Sequence, residues 1–189
     1  MENENNVREE TLVMPETWTL DPTHSKIQFT VRHMVISEVL GNFKAFDFNI
    51  DSPKDDFSDS KVELKINADS IDTGVSDRDN HLRSADFFNV QKYPYITFKS
   101  KSFKKLKGEN YKLIGDLTIK NVTNEIELDV IYNGQIADPF GGKHRAGFKV
   151  TATLNRFDYD LKWNMLIETG GAVVGKNVNI VCDIELVSH

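Results

Sequence analysis

The chain has 189 residues and a formal net charge of −6, with 28% charged and 39% hydrophobic residues. This length suits one domain with a sizeable core. The negative balance argues against a general electrostatic attraction to nucleic acid or to an anionic membrane, so no nucleic-acid partner is expected.

The first sixteen residues are acidic and lack the basic start and apolar core of a secretory signal. We therefore predict a flexible tail over residues 1–16, a single domain over 17–189, and a cytoplasmic location. No stretch approaches eighteen consecutive apolar residues, so stable membrane insertion is not expected. The lone cysteine, Cys182, has no partner in the chain for a disulfide.

Alternation of apolar and polar residues dominates the remaining sequence. It predicts eight strands, near residues 25–33, 38–50, 60–70, 95–104, 110–120, 124–134, 144–154 and 177–187. Because each segment has one apolar and one polar face, the pattern favours antiparallel sheet. Within the second segment the apolar parity changes, which indicates a bulge near Ala45.

No amphipathic helical stretch is long enough to cover the apolar face of such a sheet. The sheet must then close on itself or pack on a second sheet. Eight strands make a barrel wide enough to be filled by side chains or to hold one small ligand. We predict an all-β, eight-stranded antiparallel barrel, with a two-sheet sandwich as the alternative.

Two segments interrupt the alternation, at about 71–94 and 155–176. In the first, Ser76 followed by Asp79 resembles a capping box, and Asp77 adds negative charge where the helix dipole favours it. Pro94 ends any helix and directs the chain back into extended structure. A short helical insertion is therefore predicted around residues 76–90.

Several motifs invite functions that the sequence does not support. The run GGAVVGKN, residues 170–177, resembles a phosphate-binding loop, but it precedes an alternating strand and has Asn177 where Ser or Thr is required. A glycine-rich turn is predicted instead. The five histidines form no pair at a typical ligand spacing, and no nucleophile motif is present. We expect no metal, no cofactor and no enzymatic chemistry.

Twelve Phe, five Tyr and two Trp are a large aromatic content, and many lie on the apolar faces. They either fill a core or line a lumen that holds an apolar ligand, and the pattern does not separate these alternatives. Arg78, His81 and Arg83 are similarly ambiguous. They are either solvated and paired with neighbouring acids, or they meet an anionic head group at the mouth of a barrel.

Four runs together resemble one protein family. These are the Ser70–Ser100 run SIDTGVSDRDNHLRSADFFNVQKYPYITFKS, the Trp18–Ile50 run WTLDPTHSKIQFTVRHMVISEVLGNFKAFDFNI, GDLTIKNVTNEIELDV at 115–130, and AGFKVTATLNRFDYDL at 146–161. The chain closely resembles the YceI-like family of lipocalin-like proteins, which bind polyisoprenoids and related amphiphiles. The resemblance covers about Trp18 to Leu186 in the family's order.

The resemblance implies an extended barrel with a long apolar cavity, commonly in a homodimer. It implies binding, storage or transport of a long-chain apolar amphiphile, either a polyisoprenoid or a fatty acid or amide, without chemistry. His33, on the inward parity at a strand end, is the best candidate for a polar contact in the lumen. The predicted ligand-binding residues are Ile27, Phe29, Val31, His33, Phe48, Ile66, Phe98, Leu117, Phe148, Val150 and Trp163.

One departure from the family pattern follows the run LNRFDY, where the family usually has a Gly-Leu step and this chain has Asp160-Leu161. The segment after it is expected to reshape one mouth of the cavity. Two rival functions remain open at this stage. One is an enzyme acting on a small apolar substrate, and the other is a filled barrel that serves as an interaction or stress-response module.

Overall fold

The computed structural model describes residues 16–166 and 172–189. The predicted tail therefore lies outside the described residues, apart from Glu16, whose carboxylate is 2.9 Å from His144 Nδ1. The strands in the described ranges are β1 (Trp18–Leu20), β2 (Lys26–His33), β3 (Ser37–Phe43), β4 (Phe46–Asp51), β5 (Lys61–Asn67), β6 (Ile71–Asp72), β7 (Tyr95–Lys105), β8 (Asn110–Ile119), β9 (Val122–Ala137), β10 (His144–Asn155) and β11 (Val174–Ser188).

All these strands pair antiparallel in one curled sheet, in the order β4-β5-β7-β8-β9-β10-β11-β2-β3-β6, with β1 added to β11. The predicted all-β antiparallel fold is confirmed. The strand count differs because the predicted 38–50 strand is divided into β3 and β4, and because β1 and β6 are short additional segments.

The division between β3 and β4 falls at residues 44–45, beside the predicted bulge. β3 pairs with β2, whereas β4 pairs with β5 at the other end of the sheet order. The connection therefore brings the two ends of the curled sheet together, so that within the described residues the chain, and not a strand ladder, links the ends of the barrel. Backbone hydrogen bonds from Lys44 to Ser70 (3.2 Å) and from Asn67 to Ala45 (2.9 Å) fix the bend.

The insertion contains one helix, α1 (Ser76–Arg83), within the predicted range. The predicted capping box is wrong, because the N-cap is Val75 and no side chain caps the helix. Asp79 instead accepts hydrogen bonds from the Thr73 amide (2.9 Å) and hydroxyl (2.6 Å). The carboxylate therefore connects the helix to the preceding turn. The same two hydrogen bonds give this buried carboxylate its polar partners.

The second interruption begins with a 3-10 turn over Arg156–Tyr159, which ends at Asp160 in the left-handed conformation (φ +56°). Glycine adopts this conformation at no steric cost, and aspartate is among the side chains that tolerate it. The Asp160-Leu161 step, where the resemblance leads us to expect Gly-Leu, therefore begins at a left-handed residue. Lys162 and Lys120 lie 3.0 and 3.6 Å from the Asp160 carboxylate.

One end of the barrel is filled by an aromatic cluster centred on Phe57, whose side chain has no solvent exposure. Its ring lies 5.1 Å from Trp18, 5.7 Å from Tyr132 and 4.9 Å from Phe148, measured between centroids. Tyr111 is also buried at this end and donates its hydroxyl to the Asp56 carbonyl at 2.6 Å. Such tilted and edge-to-face ring pairs stabilise the fold by more than the burial of their apolar area alone. Because these rings fill the interior, this end of the barrel is closed.

Among the described residues, no helix is long and apolar enough to cross a membrane.

Candidate functional site: an apolar cavity

The middle of the barrel encloses a cavity with a free volume of about 210 Å³. It lies between the aromatic cluster and the insertion, and neither Phe57 nor Tyr132 contributes to its lining. At the insertion end it meets Leu82 of α1 and the Phe87 and Phe88 rings that follow it. The barrel is therefore filled at one end and hollow in the middle.

The walls of the cavity come from nearly every long strand. Of the eleven residues predicted to bind ligand, eight line it: Ile27, Phe29, Val31, Phe48, Ile66, Phe98, Leu117 and Val150. Within the described chain, no polar atom is exposed to this space. Only apolar groups are therefore available to contact a molecule inside it.

Three predicted residues lie elsewhere. His33 is at the end of β2, beside Val174, where the β2–β11 register shifts, and it does not line the cavity. The prediction of a polar lumen contact at His33 is thus wrong for this geometry. Phe148 has the inward parity but belongs to the aromatic cluster. Trp163 packs outside the cavity, with its ring 5.3 Å from Phe87.

The three predicted head-group residues are occupied in holding the insertion, and none lines the cavity. Arg78 donates from Nε to the Thr73 hydroxyl (2.7 Å) and from Nη2 to the Thr73 carbonyl (2.8 Å). Arg83 donates to the carbonyls of Asp69 (2.8 Å) and Ile71 (2.7 Å). His81 Nε2 is 2.9 Å from the Asp86 carboxylate. A head-group role for them stays a prediction.

Sequence reasoning missed Arg156, which is only 3% exposed and whose side chain lines the cavity at the insertion end. Its guanidinium donates to the carbonyls of Gly175 (2.8 Å), Trp163 (2.9 Å), Val174 (3.2 Å) and Leu161. No carboxylate within the described residues pairs with it. Burial lowers the pKa of the guanidinium, and the four carbonyls supply the compensating hydrogen bonds.

Two further groups in the lining carry hetero atoms. The Tyr159 hydroxyl is buried without a hydrogen-bond partner in the described chain, and burial raises its pKa. Burial raises the pKa of the Cys182 thiol to about 12. A thiol of this pKa is almost entirely protonated near neutrality and is therefore a poor nucleophile.

A second cluster, outside the cavity, brings Asp21, His24 and Glu185 within reach of one another. It is already occupied by Arg145, whose Nη1 lies 2.6 Å from the Asp21 carboxylate and 2.5 Å from that of Glu185. Hydrogen bonds from His24 and then from Arg145 hold the pKa of Asp21 well below its usual range. The cluster is an ion-pair network at the closed end of the barrel, in which Arg145 also contacts the Asp138 carboxylate at 2.6 Å.

The sequence contained signals for what was missed. Arg156 continues the even-numbered parity of β10 that runs through Val150 and Leu154, so it points inward as they do. Five even-numbered residues of β11 line the cavity for the same reason: Val174, Val178, Ile180, Cys182 and Ile184. The contribution of the insertion, by contrast, has no periodic signal, because Leu82, Phe87 and Phe88 belong to one helix and an irregular turn.

Comparison with known proteins agrees with this architecture. A UPF0312 protein of Staphylococcus aureus strain N315 is 40% identical over 168 residues, which cover 89% of this chain and 95% of that protein. The crystal structure of a YceI protein of Campylobacter jejuni superposes with a TM-score of 0.72 and 31% identity, covering 84% of this chain and 90% of that one.

A polyisoprenoid binding domain from Saccharophagus degradans shares the fold, with a TM-score of 0.65 at 16% identity over 93% of this chain and all of that one. The profile of the YceI-like domain matches residues 18–186. The matched residues include every strand of the barrel and the insertion, so the chain belongs to the YceI-like family.

Proposed function

We propose that this protein binds a long-chain apolar amphiphile, either a polyisoprenoid or a fatty acid or amide, inside the barrel without chemical conversion. The observation that carries the proposal is a cavity whose exposed surface consists of apolar atoms alone. Membership of the YceI-like family supports it, as does the fold shared with a polyisoprenoid binding domain. Apolar lining with few polar groups is typical of sites for such ligands.

The lining selects the tail of the ligand rather than its head group. A polar head inside the cavity would lose its hydration and find no hydrogen-bonding atom, which is costly. Arg156, the one cation in the lining, is already engaged by four carbonyls. The head therefore stays at the mouth or in solvent, and the cavity discriminates by the length and width of the hydrocarbon chain.

The volume of the cavity limits how much of the ligand's hydrocarbon chain it can hold. Each methylene of the ligand that is buried in the cavity contributes about 0.8 kcal/mol before the costs of association are subtracted. A longer ligand needs more room, and the side chains of Leu82, Phe87 and Phe88, which border the cavity without belonging to a barrel strand, are the part of the lining that can provide it.

The same geometry argues against catalysis. Arg156 has no adjacent base among the described residues, and the Cys182 thiol is held protonated by burial. The hydroxyl of Tyr159 is not exposed to the cavity. Two titratable groups converging on one point of the lumen would be needed for acid–base chemistry, and the described lining does not supply them.

Native mass spectrometry of the protein purified from its own host tests the proposal, because it reports bound mass and subunit number together. We expect an apolar molecule that is also recovered by solvent extraction. Val150→Trp should abolish its recovery, since Val150 lines the cavity, with a stability loss below about 1 kcal/mol because the ring enters free space.

Two matched variants on the same strand complete the test. Lys149→Trp adds the same ring to the exposed face and should leave the ligand in place. Ala146→Trp adds it at a fully buried inward position and should lose more than about 3 kcal/mol through overpacking. The proposal is wrong if no apolar molecule is recovered and Val150→Trp is destabilised as strongly as Ala146→Trp.

A further inference from the structure

The surface beside the insertion end of the cavity carries exposed apolar side chains on two neighbouring segments. The first is the β2–β3 turn with Met34, Val35 and Ile36, and the second is the end of the described stretch at Met165 and Leu166. Ile36 is 87% and Leu166 82% exposed. We call these five residues the rim patch. Such a cluster of large apolar groups in water marks an interaction surface more often than isolated exposed residues do.

The two segments are joined by backbone hydrogen bonds. The Met34 amide donates to the Val173 carbonyl (3.0 Å), and the Val173 amide donates to the Met165 carbonyl (2.9 Å). The next residue, Val174, lines the cavity. The rim patch is therefore continuous with one end of the cavity lining rather than a separate feature of the surface.

The turn in the first segment is unfavourable for the residues that occupy it. Met34 (φ +50°) and Val35 (φ +68°) are both left-handed, and the Ile36 amide donates to the His33 carbonyl at 3.2 Å. Left-handed backbone favours Gly and Asn, whereas a β-branched Val is strained there. Apolar side chains in this segment thus weaken the turn, which suggests that they serve another purpose.

Cations lie near the apolar segments, although the whole chain is acidic. Arg32 and Lys176 are exposed; Arg32 donates from Nη1 to the Val35 carbonyl at 3.1 Å, and Lys176 follows Val174 by two residues in β11. Within the described residues neither forms an ion pair, even though Glu38 is the cross-strand partner of Arg32. In this part of the described chain, the exposed apolar side chains are therefore accompanied by two cations without an ion-pair partner.

We propose that the rim patch docks on the surface of an anionic phospholipid bilayer. Its apolar side chains would enter the boundary between head groups and acyl chains, and Arg32 and Lys176 would lie at the level of the phosphates, as in other interfacial segments. This orientation faces the insertion end of the cavity towards the bilayer, so that a lipid tail can transfer without crossing water. The inference rests on the proposed function for its purpose, but the docking itself is measured separately.

Sedimentation with vesicles tests it. We expect the wild-type protein to bind vesicles of equimolar phosphatidylglycerol and phosphatidylcholine, and to bind pure phosphatidylcholine at least tenfold more weakly. Ile36→Asp should weaken binding to the anionic vesicles by more than tenfold. Ile136→Asp is the matched control, since Ile136 is also strongly exposed (63%) but lies in register with Arg145, towards the closed end. It should bind as the wild type does.

Charge is tested by Lys176→Glu, which should weaken binding to anionic vesicles several-fold and leave the weak binding to phosphatidylcholine unchanged. Equal sedimentation of Ile36→Asp and wild type would overturn the proposal, as would absence of wild-type binding. A change in subunit number in Ile36→Asp, without vesicle binding by the wild type, would assign the patch to a second copy of the chain and equally overturn it.

Loading of a soluble fluorescent fatty acid without vesicles separates this inference from the proposed function. We expect Ile36→Asp to load it as the wild type does, because the cavity is unchanged. Loading without vesicle binding would overturn the docking alone. Vesicle binding without loading would leave the docking in place and contradict the proposed function.

Discussion

Replacing Arg156 is the sharpest test of how the insertion end of the barrel is held. The guanidinium connects two segments of chain, through the carbonyls of Leu161 and Trp163 on one side and of Val174 and Gly175 on the other. Arg156→Met keeps a long side chain along the cavity wall but removes every donor. The four carbonyls then lose this donor at a site where the arginine itself is 3% exposed, although the Val174 carbonyl still accepts from Asn164 Nδ2 at 2.9 Å.

The magnitude follows from two opposing terms. Each buried acceptor that loses its hydrogen bond costs about 1–3 kcal/mol, although water entering from the mouth will satisfy some of them. Removing a buried cation returns several kcal/mol of desolvation. We expect a net loss of about 2–4 kcal/mol in the free energy of unfolding. Arg156→Lys keeps the charge with a single donor group and should lose a similar amount, because an ammonium does not reach four carbonyls in a planar fork.

Urea unfolding followed by tryptophan fluorescence measures the effect. Trp163 supplies one of the carbonyls and stacks edge-on against His81 (4.7 Å), whereas Trp18 reports the closed end through Phe57. In a Trp18→Phe background, Arg156→Met should shift the remaining emission to longer wavelength before global unfolding. Equal stability of Arg156→Met and the wild type would refute the reasoning, since the four hydrogen bonds would then contribute nothing to folding.

Three other outcomes are expected. Replacing Met34 by Asn and Val35 by Gly should raise stability by about 1–2 kcal/mol, because both positions are left-handed, while weakening binding to anionic vesicles. The hydrogen bond from Arg145 lowers the pKa of Asp138. The ionised Asp138 therefore stabilises the fold above the ordinary carboxyl pKa near 4, and this stabilisation is lost as the pH falls below it. Arg145→Met should accordingly flatten the acid side of a plot of urea midpoint against pH. Cys182, with a pKa of about 12, should react with iodoacetamide at pH 7.5 only after unfolding, and rapid alkylation of the native protein would contradict its burial.

The alternating pattern predicted the barrel well because each strand of a closed sheet has one face towards the interior. Parity also identified most of the predicted cavity residues, such as Phe29 and Leu117, since inward direction is a local property of a strand. It failed at His33, which keeps the parity of β2 in unbroken register with β3 but lies at the strand end, beyond the lining of the cavity. Parity gives the direction of a side chain and not its distance from the cavity.

Depth along the barrel is not encoded in parity at all. Phe148 and Val150 alternate identically, yet one packs against Phe57 and the other faces free volume. The difference arises because residues 52–60 fold over one end of the barrel and place Phe57 inside it, with a backbone φ of +59°. The alternation of apolar and polar residues assigns faces to strands, but it does not predict that a loop packs into one end of the barrel.

The position of the aromatic cluster has a consequence for ligand choice. Because Phe57 and its neighbours close one end, the hydrocarbon chain of the proposed ligand has to enter elsewhere. The insertion residues Leu82, Phe87 and Phe88 border the cavity away from that cluster. The strand walls are held by continuous backbone hydrogen bonds, whereas these three side chains are held by packing. Free energy gained by burying further methylenes is therefore opposed mainly by displacement of the insertion side chains. For the proposed ligand, we expect the upper limit on tail length to depend on how far the insertion can move, which the hydrogen bonds of Arg78, Asp79 and Arg83 restrict.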